Sequence, residues 1–448
     1  MKKIFVLFLS FTLLFLTACN TNPPVGTDAD GSTISGKPTD GSTISGKPTD
    51  GTSGKPSSGS TEKPGETDDP YHWDWRETMQ DRFVNRSSND MINLPSRIVF
   101  QAAIDDGPKR TYYYSKADGN AYVYCYDPLC DHTKYTCLGN PQKAHTGWSF
   151  HQTFFINNRF YLIDDYGKIY SFAFDGTDRK LEYDAKYLAH KSVWGGPIAY
   201  GPYIYIDSEA EEKDHTLRYN VETKKMEDLT EKTGNYVYPH YFYNGMIYGN
   251  GDNSIVLDGF YKADLDLKTV ESMEESFMDQ HAGSVLVGYV YKERQSIEES
   301  PVKIGISFYD IKTGEQRIVT KEDLGLDYYP VFVAATEEYF YFYNPQPIYI
   351  GTAIYNQGGK EVERQVQKMN DGKLYRMNKD GTNIVCVYDN PEYELNRNVV
   401  IYDDKIVMQG RYMKVENKKT KVWGGPVQVA TINPDGTIGE FVEVEVLE

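Results

Sequence analysis

Residues 307–319, SFYDIKTGEQRIV, decide the fold. An alternating apolar run passes through a tight polar turn at Thr313 into a second run, the pattern of two paired strands. The unit recurs at 170–183 (YSFAFDGTDRKLEY), 217–229 (LRYNVETKKMEDL), 261–273 (YKADLDLKTVESM), 374–388 (LYRMNKDGTNIVCVY) and 429–444 (VATINPDGTIGEFVEV). Its turn threonines, Thr177, Thr223, Thr269, Thr313, Thr382 and Thr437, are separated by 46, 46, 44, 69 and 55 residues.

A second hairpin precedes each unit, often through a pair that accepts positive φ, as at Asn157–Asn158, Asn244–Gly245 and Asp403–Asp404. Two hairpins about every 45 residues make a four-stranded sheet, the blade period of a β-propeller. A large sandwich is the competing all-β fold, but regular spacing over three consecutive intervals argues against it. Aligning NAYVYCYDPLC (120–130) with KIYSFAFDGT (168–177) adds one more unit, with Leu129 at its turn. The expectation is an all-β propeller of seven four-stranded blades rather than six or eight. The 69-residue interval predicts an insertion over 344–372 that projects as a loop above the central funnel. Residues 71–96 fall outside the repeat and are expected to cap the ring or complete a blade.

The folded part, about 378 residues from Tyr71 onward, is preceded by two other segments. Residues 1–19 carry Lys2 and Lys3, an apolar run from Ile4 to Leu16, and then Thr17, Ala18 and Cys19. This is a secretory signal too short to span a bilayer. Leu16–Cys19 resembles the lipobox of bacterial lipoproteins, which implies an acylated Cys19 and a chain anchored on the extracytoplasmic side of the cell membrane. The alternative is an ordinary cleaved signal with a free cysteine. Residues 20–70 repeat GSTISGKPTD at 31–40 and 41–50 and have almost no large apolar side chains. Such a segment cannot bury enough surface to offset chain entropy and reads as a disordered tether. Its root-mean-square reach is roughly 35 to 42 Å.

CYDPLCDHTKYTC, residues 125–137, gathers Cys125, Cys130, His132 and Cys137. The alignment sets it between the third and fourth strands of the first blade, at the rim and away from the channel mouth. A staple suits that place better than a catalytic thiol, and no acid–base pair with nucleophile spacing accompanies it. Two stapling readings stand: a disulfide, expected outside the cytoplasm, and a structural zinc held by the C-x4-C-x-H-x4-C donors. Cys386, within NIVCVY, reads as a buried strand thiol. With the lipobox, tether and repeats, this segment resembles bacterial β-propeller lipoproteins that carry C-x-D-P-L-C-x-H-x4-C early in the folded domain. The resemblance rests on Cys125, Asp127, Pro128, Leu129, Cys130, His132 and Cys137. It implies a propeller at the cell envelope and brings no substrate with it.

With 47 basic against 65 acidic residues, a net of −18, and no basic stripe, nucleic acid is disfavoured as a partner. The connections between blades converge at the funnel and include HTGWSFH (145–151), HKSVWGGP (190–197), NYVYPH (235–240), DQHAGS (279–284) and DYYPVF (327–332). They nominate Trp148, His151, Trp194, His240, His281 and Tyr329 as a ring of aromatic and polar groups that would stack on a sugar or clasp a peptide. Core filling is the competing reading of the same rings. VWGGP recurs at 422–426, where it reads as a turn preference. Two functional classes follow. One is a non-catalytic binding or scaffolding module for a glycan, peptide or envelope protein. The other is a propeller enzyme acting on glycans as a lyase or hydrolase, for which the funnel segments offer no recognisable catalytic pair.

The cysteine segment has a direct test. Mass spectrometry of the folded protein without reductant should show a bridge within residues 125–137 or one bound zinc, whereas three freely alkylated thiols without metal would exclude both staples.

Overall fold

The computed structural model describes residues 84–447 apart from 86–90, 94–95, 103–109, 126–152, 157–158, 164–167, 174–177, 185–197, 211–212, 252–259, 274–276 and 293–301. The chain is nearly all β; the described residues include a single helix, α1 (Leu229–Thr233). After a two-residue strand β1 (Val84–Asn85), seven antiparallel meanders follow in order. Blade 1 holds β2 (Met91–Asn93), β3 (Arg97–Ala102), β4 (Arg110–Ser115) and β5 (Ala121–Val123). Blade 2 holds β6 (Thr153–Ile156), β7 (Arg159–Ile163), β8 (Lys168–Ala173) and β9 (Lys180–Asp184). Blade 3 holds β10 (Ile198–Tyr200), β11 (Tyr203–Ala210), β12 (Lys213–Asn220) and β13 (Lys225–Asp228). Blade 4 holds β14 (Tyr238–Tyr243), β15 (Met246–Asn250), β16 (Phe260–Asp264) and β17 (Val270–Met273), and blade 5 holds β18 (Phe277–Ala282), β19 (Val285–Tyr291), β20 (Lys303–Asp310) and β21 (Gln316–Val319).

Blades 6 and 7 carry additions between their second and third strands. In blade 6, β22 (Val331–Ala335) and β23 (Tyr339–Tyr343) are followed by the hairpin β24 (Ile348–Gln357) and β25 (Lys360–Lys368), then β26 (Lys373–Asn378) and β27 (Val385–Asp389). After β28 (Tyr393–Glu394), blade 7 runs β29 (Val399–Tyr402), β30 (Lys405–Met408), a hairpin β31 (Arg411–Glu416) and β32 (Lys419–Gly424), β33 (Gln428–Thr431) and β34 (Val442–Glu443). The final strand β35 (Val446–Leu447) pairs in parallel with β5, so the C-terminal end joins the outer edge of blade 1.

Seven blades are therefore present, as the repeat predicts. The first strands of neighbouring blades lie side by side, β6 by β10, β10 by β14, β18 by β22, β22 by β29 and β29 by β2, which places them around the axis. The middle strands explain the sequence. Tyr339–Tyr343 reads YFYFY because both faces of β23 are buried: Phe340 and Phe342 join a cluster with Val287, Tyr289 and Phe308 of blade 5. Tyr341 points the other way, to Ile406 and Met408 of blade 7. The same division sends Ile204 and Ile206 toward blade 2 and Tyr205 toward blade 4. The seam between the last and first blades is closed by Val400, Val407 and Val427 against Ile98, Phe100 and Tyr112. Each fully buried side chain of this size contributes roughly 1.5 to 3 kcal/mol.

Turn chemistry fixes the repeats. In NKDGT (378–382) the Asp380 carboxylate accepts from the backbone N–H of Thr382 at 2.9 Å and its hydroxyl at 2.6 Å, with Gly381 at φ 81. NPDGT (433–437) repeats this with Asp435, Thr437 and Gly436 at φ 76. These third-to-fourth-strand turns are gripped by the preceding blade. Arg218 of β12 donates to the Leu265 carbonyl at 2.7 Å and Asp266 at 2.8 Å, and Arg376 of β26 donates to the Asp435 carbonyl at 2.7 Å. Arg317 of β21 donates to the Asp380 carbonyl.

Four expectations change. The true third-to-fourth-strand turn of blade 1 is 116–119, where Asp118 accepts from the Asn120 N–H; the sequence alignment slipped by one strand onto DPL. The cysteine segment thus follows the outer strand β5 instead of interrupting the blade. Of residues 71–96, β2 completes blade 1, one of the two roles expected, while β1 pairs with β14 on the inner edge of blade 4, and 71–83 lie outside the described residues. The 344–372 insertion is a hairpin rather than a loop. Cys386 is exposed, because β27 is an outer strand whose residues 385 and 386 face solvent.

Arg218 is buried, with its partners Glu227 and Asp266 partly exposed. Arg218→Met should lower unfolding free energy by roughly 1 to 3 kcal/mol in urea titration, because three acceptors lose their donor; an unchanged midpoint would remove the inter-blade clamp from the account.

Candidate functional site

The antiparallel meander fixes which loops share a face. First-to-second and third-to-fourth turns lie at one end of every blade, and second-to-third loops lie at the other end with the connections to the next blade. Of the residues nominated from sequence, Tyr329 lies on a connection of the second face, His240 lies within β14, and His281 lies near the first-to-second turn of blade 5, toward the first face. Trp148, His151 and Trp194 lie outside the described residues, as do Cys130, His132 and Cys137. Cys125 is half-buried at the end of β5, packed on the cluster shared by blades 7 and 1.

His240 and His281 are described, on the adjacent innermost strands β14 and β18. His240 occupies a bulge: the pairing of β14 with β15 skips between Pro239 and Tyr241, consistent with proline having no N–H to give the ladder. Opposite Pro239, Gly249 admits no side chain, since a Cβ there would lie 1.9 Å from the Tyr238 carbonyl oxygen. Blades 5 and 6 repeat the device, with register shifts between Met278 and Gln280 and between Phe332 and Ala334. The His240 ring meets Tyr238 edge-on at 4.9 Å, and His281 meets Tyr241 of the neighbouring blade at 5.8 Å. Burial holds the His281 imidazole down to about 4, so it is neutral at physiological pH. That is far from the value suited to proton transfer near pH 7. Tyr329, on the connection into β22, packs against the apolar cluster of blades 5 and 6, and burial raises its hydroxyl. His240 and His281 thus share one inter-blade interface around Tyr241, whereas Tyr329, partly exposed, packs on the cluster between blades 5 and 6. The channel is also partly occupied at this point, because Val84 and Asn85 pair with Phe242 and Tyr241.

A feature that the sequence expectations held only in part, as the 344–372 insertion, stands on the second face. The hairpins β24–β25 of blade 6 and β31–β32 of blade 7 pack together. The Ile354 N–H donates to the Lys418 carbonyl at 2.8 Å, Tyr355 and Thr420 hydroxyls meet at 2.8 Å, and a Cβ on Gly351 would lie 3.0 Å from Val415. Their base is locked by β28. The buried Glu394 carboxylate receives Arg411 through two nitrogens, at 2.8 and 3.1 Å, and the Met369 N–H at 3.0 Å. Fully buried Tyr393 donates to the Pro426 carbonyl at 3.0 Å and accepts from the Gly410 N–H at 2.7 Å. Its ring fills the space where a Cβ on Gly425 would stand, 2.2 Å from Cε2. Gly425 is the second glycine of VWGGP, so this copy has a packing reason beyond the turn preference read from sequence. The insertion in blade 7 is legible in the sequence as the 55-residue interval, about ten longer than the blade period.

Chemically, this crest is a preformed surface with ordered hydrogen bonding at its root. Among the described residues no group of three or more His, Cys, Asp or Glu is placed to hold a metal ion. No family model matches the chain, and no curated protein matches it. Three solved structures illustrate the structural likeness. An oligogalacturonate lyase in complex with manganese covers 76% of this chain and 87% of its own at 11% identity and TM-score 0.42. BamB from Moraxella catarrhalis covers 77% and 96% at 9% identity and TM-score 0.35. TolB from Acinetobacter baumannii covers 80% and 80% at 10% identity and TM-score 0.28. At these scores they carry no argument about ligand or reaction.

The depressed His281 value sets a pH dependence. Above the unfolded value near 6.5 both states are neutral, and between about 6.5 and 4 the unfolded chain binds a proton that the fold refuses. Unfolding free energy should therefore fall by roughly 2 to 3 kcal/mol as pH drops through that window. His281→Gln should flatten this segment of the stability profile, and an equally steep profile in the variant would assign the acid sensitivity elsewhere.

Proposed function

We propose that the chain is a lipid-anchored extracytoplasmic β-propeller that works as a binding or scaffolding module for a glycan, peptide or envelope protein. The observation that carries this reading is the joined pair of hairpins on blades 6 and 7. Loops that enlarge a surface usually cost ordering entropy on binding. Here the cost is met in the fold itself through the Glu394–Arg411 pair, the Tyr393 hydroxyl and the hairpin-to-hairpin bonds. A surface held in advance on a rigid ring suits recognition. Anchoring through Cys19 and a flexible tether over 20–70 would keep this face near the membrane while leaving it free to reorient, and the cysteine segment would staple the exit from blade 1 by a disulfide or zinc.

Two measurements test the reading. Cys19→Ser should move the full-length protein from the membrane to the soluble fraction; retention in the membrane fraction would remove the anchor. Chemical-shift mapping against a panel of envelope glycans and peptides should place perturbations within 348–368 and 411–424, and Trp148→Ala or Trp194→Ala should weaken capture only if the ligand extends to the funnel. Perturbations confined to the third-to-fourth-strand turns would move the site to the opposite face, and chemical turnover of a bound glycan would replace the binding module by an enzyme.

A further inference from the structure

The β31–β32 ribbon differs in charge from the chain as a whole. Between Arg411 and Gly424 it carries Arg411, Lys414, Lys418, Lys419 and Lys421 against the single carboxylate of Glu416, in a chain of net −18. Its register assigns the two faces. Val415 and Thr420 form one cross-strand pair and turn toward β24. The alternate pairs, Tyr412 with Trp423, Lys414 with Lys421, and Glu416 with Lys419, share the other face. Lys414, Glu416, Lys419 and Lys421 are exposed, and the half-buried Tyr412 and Trp423 rings stack at 5.5 Å and 29°.

Two features of this face work against folding. Lys414 and Lys421 stand directly opposite each other, an arrangement that destabilises a two-stranded pair. The hairpin turn puts Asn417 at φ 51 and Lys418 at φ 58, the left-handed region where the second position favours glycine. A lysine at each of these places costs stability that a neutral residue or a glycine would not. Arg411 is taken by Glu394, Lys418 reaches Glu363 of β25 at 3.5 Å, Glu416 reaches Lys421 at 2.5 Å and also faces Lys414, and the Lys414 ammonium lies 5.4 Å from the Trp423 ring centroid, near the outer limit for such a contact. On the outward face, Lys414, Lys419 and Lys421 thus share the one carboxylate of Glu416. Strands of six residues rise roughly 20 Å, about two Debye lengths at physiological salt, which separates the ribbon tip from the acidic ring.

We infer that this face of β31–β32 is a docking site for an anionic polysaccharide bearing carboxylates on its sugar rings, with Lys414, Lys419 and Lys421 pairing the carboxylates and Trp423 and Tyr412 meeting a ring face. Charge complementarity selects a polyanion, and the aromatic pair selects a sugar over a simple anion. A membrane surface is disfavoured because the tip presents Asn417 and Lys418 where insertion needs large apolar groups. This inference rests on the binding-module reading and narrows it to one ligand class and one ribbon.

The test uses the full-length chain carrying Cys19→Ser, so that no acyl chain contributes, with alginate as the carboxylated probe. Neutral dextran, inorganic polyphosphate and phosphatidylglycerol vesicles serve as comparisons. Alginate should bind in a salt-sensitive way and more tightly than any of the three. Replacing Lys414, Lys419 and Lys421 together with Gln should weaken it by roughly ten- to thirty-fold without lowering Tm. Trp423→Leu should weaken alginate while leaving residual polyphosphate binding intact. Equal binding of dextran, preference for vesicles, or polyphosphate binding as tight as alginate would each overturn the inference. Alginate binding unaffected by the triple substitution, or absent from the unsubstituted chain, would also overturn it while leaving the broader binding role in place, whereas retention of Cys19→Ser protein in the membrane fraction would bear on the anchor alone.

Discussion

Every middle strand is buried on both of its faces by two different blades, and the rest of the structure depends on this double burial. Within β23 the period-2 alternation divides Phe340 and Phe342 from Tyr341, so a single strand serves two cores. No blade can satisfy both faces alone, and the stack must close on itself; the seam of Val400, Val407 and Val427 against Ile98 and Phe100 does so, with β35 added along β5. The wedge between blades is wide, which favours aromatic rings. It also explains tyrosine over phenylalanine at several positions, because the ring fills the wedge while the hydroxyl reaches a carbonyl of the adjoining blade. Tyr205 donates to Leu265 at 3.2 Å, Tyr339 donates to Asp435 at 3.2 Å, and Tyr289 donates to Pro330.

A closed ring has two faces, and the chain uses them differently. On the turn face, aspartates such as Asp264, Asp380 and Asp435 are consumed by the backbone of their own turns: Asp264 alone accepts from the N–H groups of Asp266, Lys268 and Thr269. Their carboxyls are held below the usual range by these hydrogen bonds, against a burial effect that for Asp264 is the largest single influence and acts in the opposite direction. Acidic residues at regular intervals therefore mark architecture, although in the sequence they resemble a recurrent functional group. On the other face the loops are free of this duty, and there blades 6 and 7 insert their hairpins.

What was legible in the sequence follows the same division. Turn chemistry is local, so Asn244–Gly245, with φ 48 and 72, and the Asp-Gly-Thr turns announced both hairpins of a blade without any tertiary knowledge. Blade 1 was misaligned because YDPL imitates FDGT in composition, while SKADGN, the turn that the fold uses, lacks the threonine that marked the others. The two-residue strand β1 has no period to detect, and its pairing with β14 is decided by a partner more than 150 residues away in the chain. The burial of Tyr393 between Gly410 and Gly425 was equally hidden, since close approach of a ring to glycine leaves no pattern in the neighbouring residues.

The placement of β1 bears on where recognition can occur. By pairing with Tyr241 and Phe242 it occupies part of the inner edge of blade 4, where a propeller with an open channel would offer backbone donors and acceptors to a ligand. Nearby, burial keeps His281 neutral and edge-on to Tyr241, and β1 fills part of the channel with the protein's own chain. The crest differs: it has a root fixed by the buried Glu394–Arg411 pair, a long exposed hairpin pair, and a like-charge Lys414–Lys421 pair that works against folding. Unfavourable groups persist where something outside the folding balance retains them. On that ground the outer hairpins, rather than the axis, are the stronger candidates for the surface on which this propeller was shaped to act.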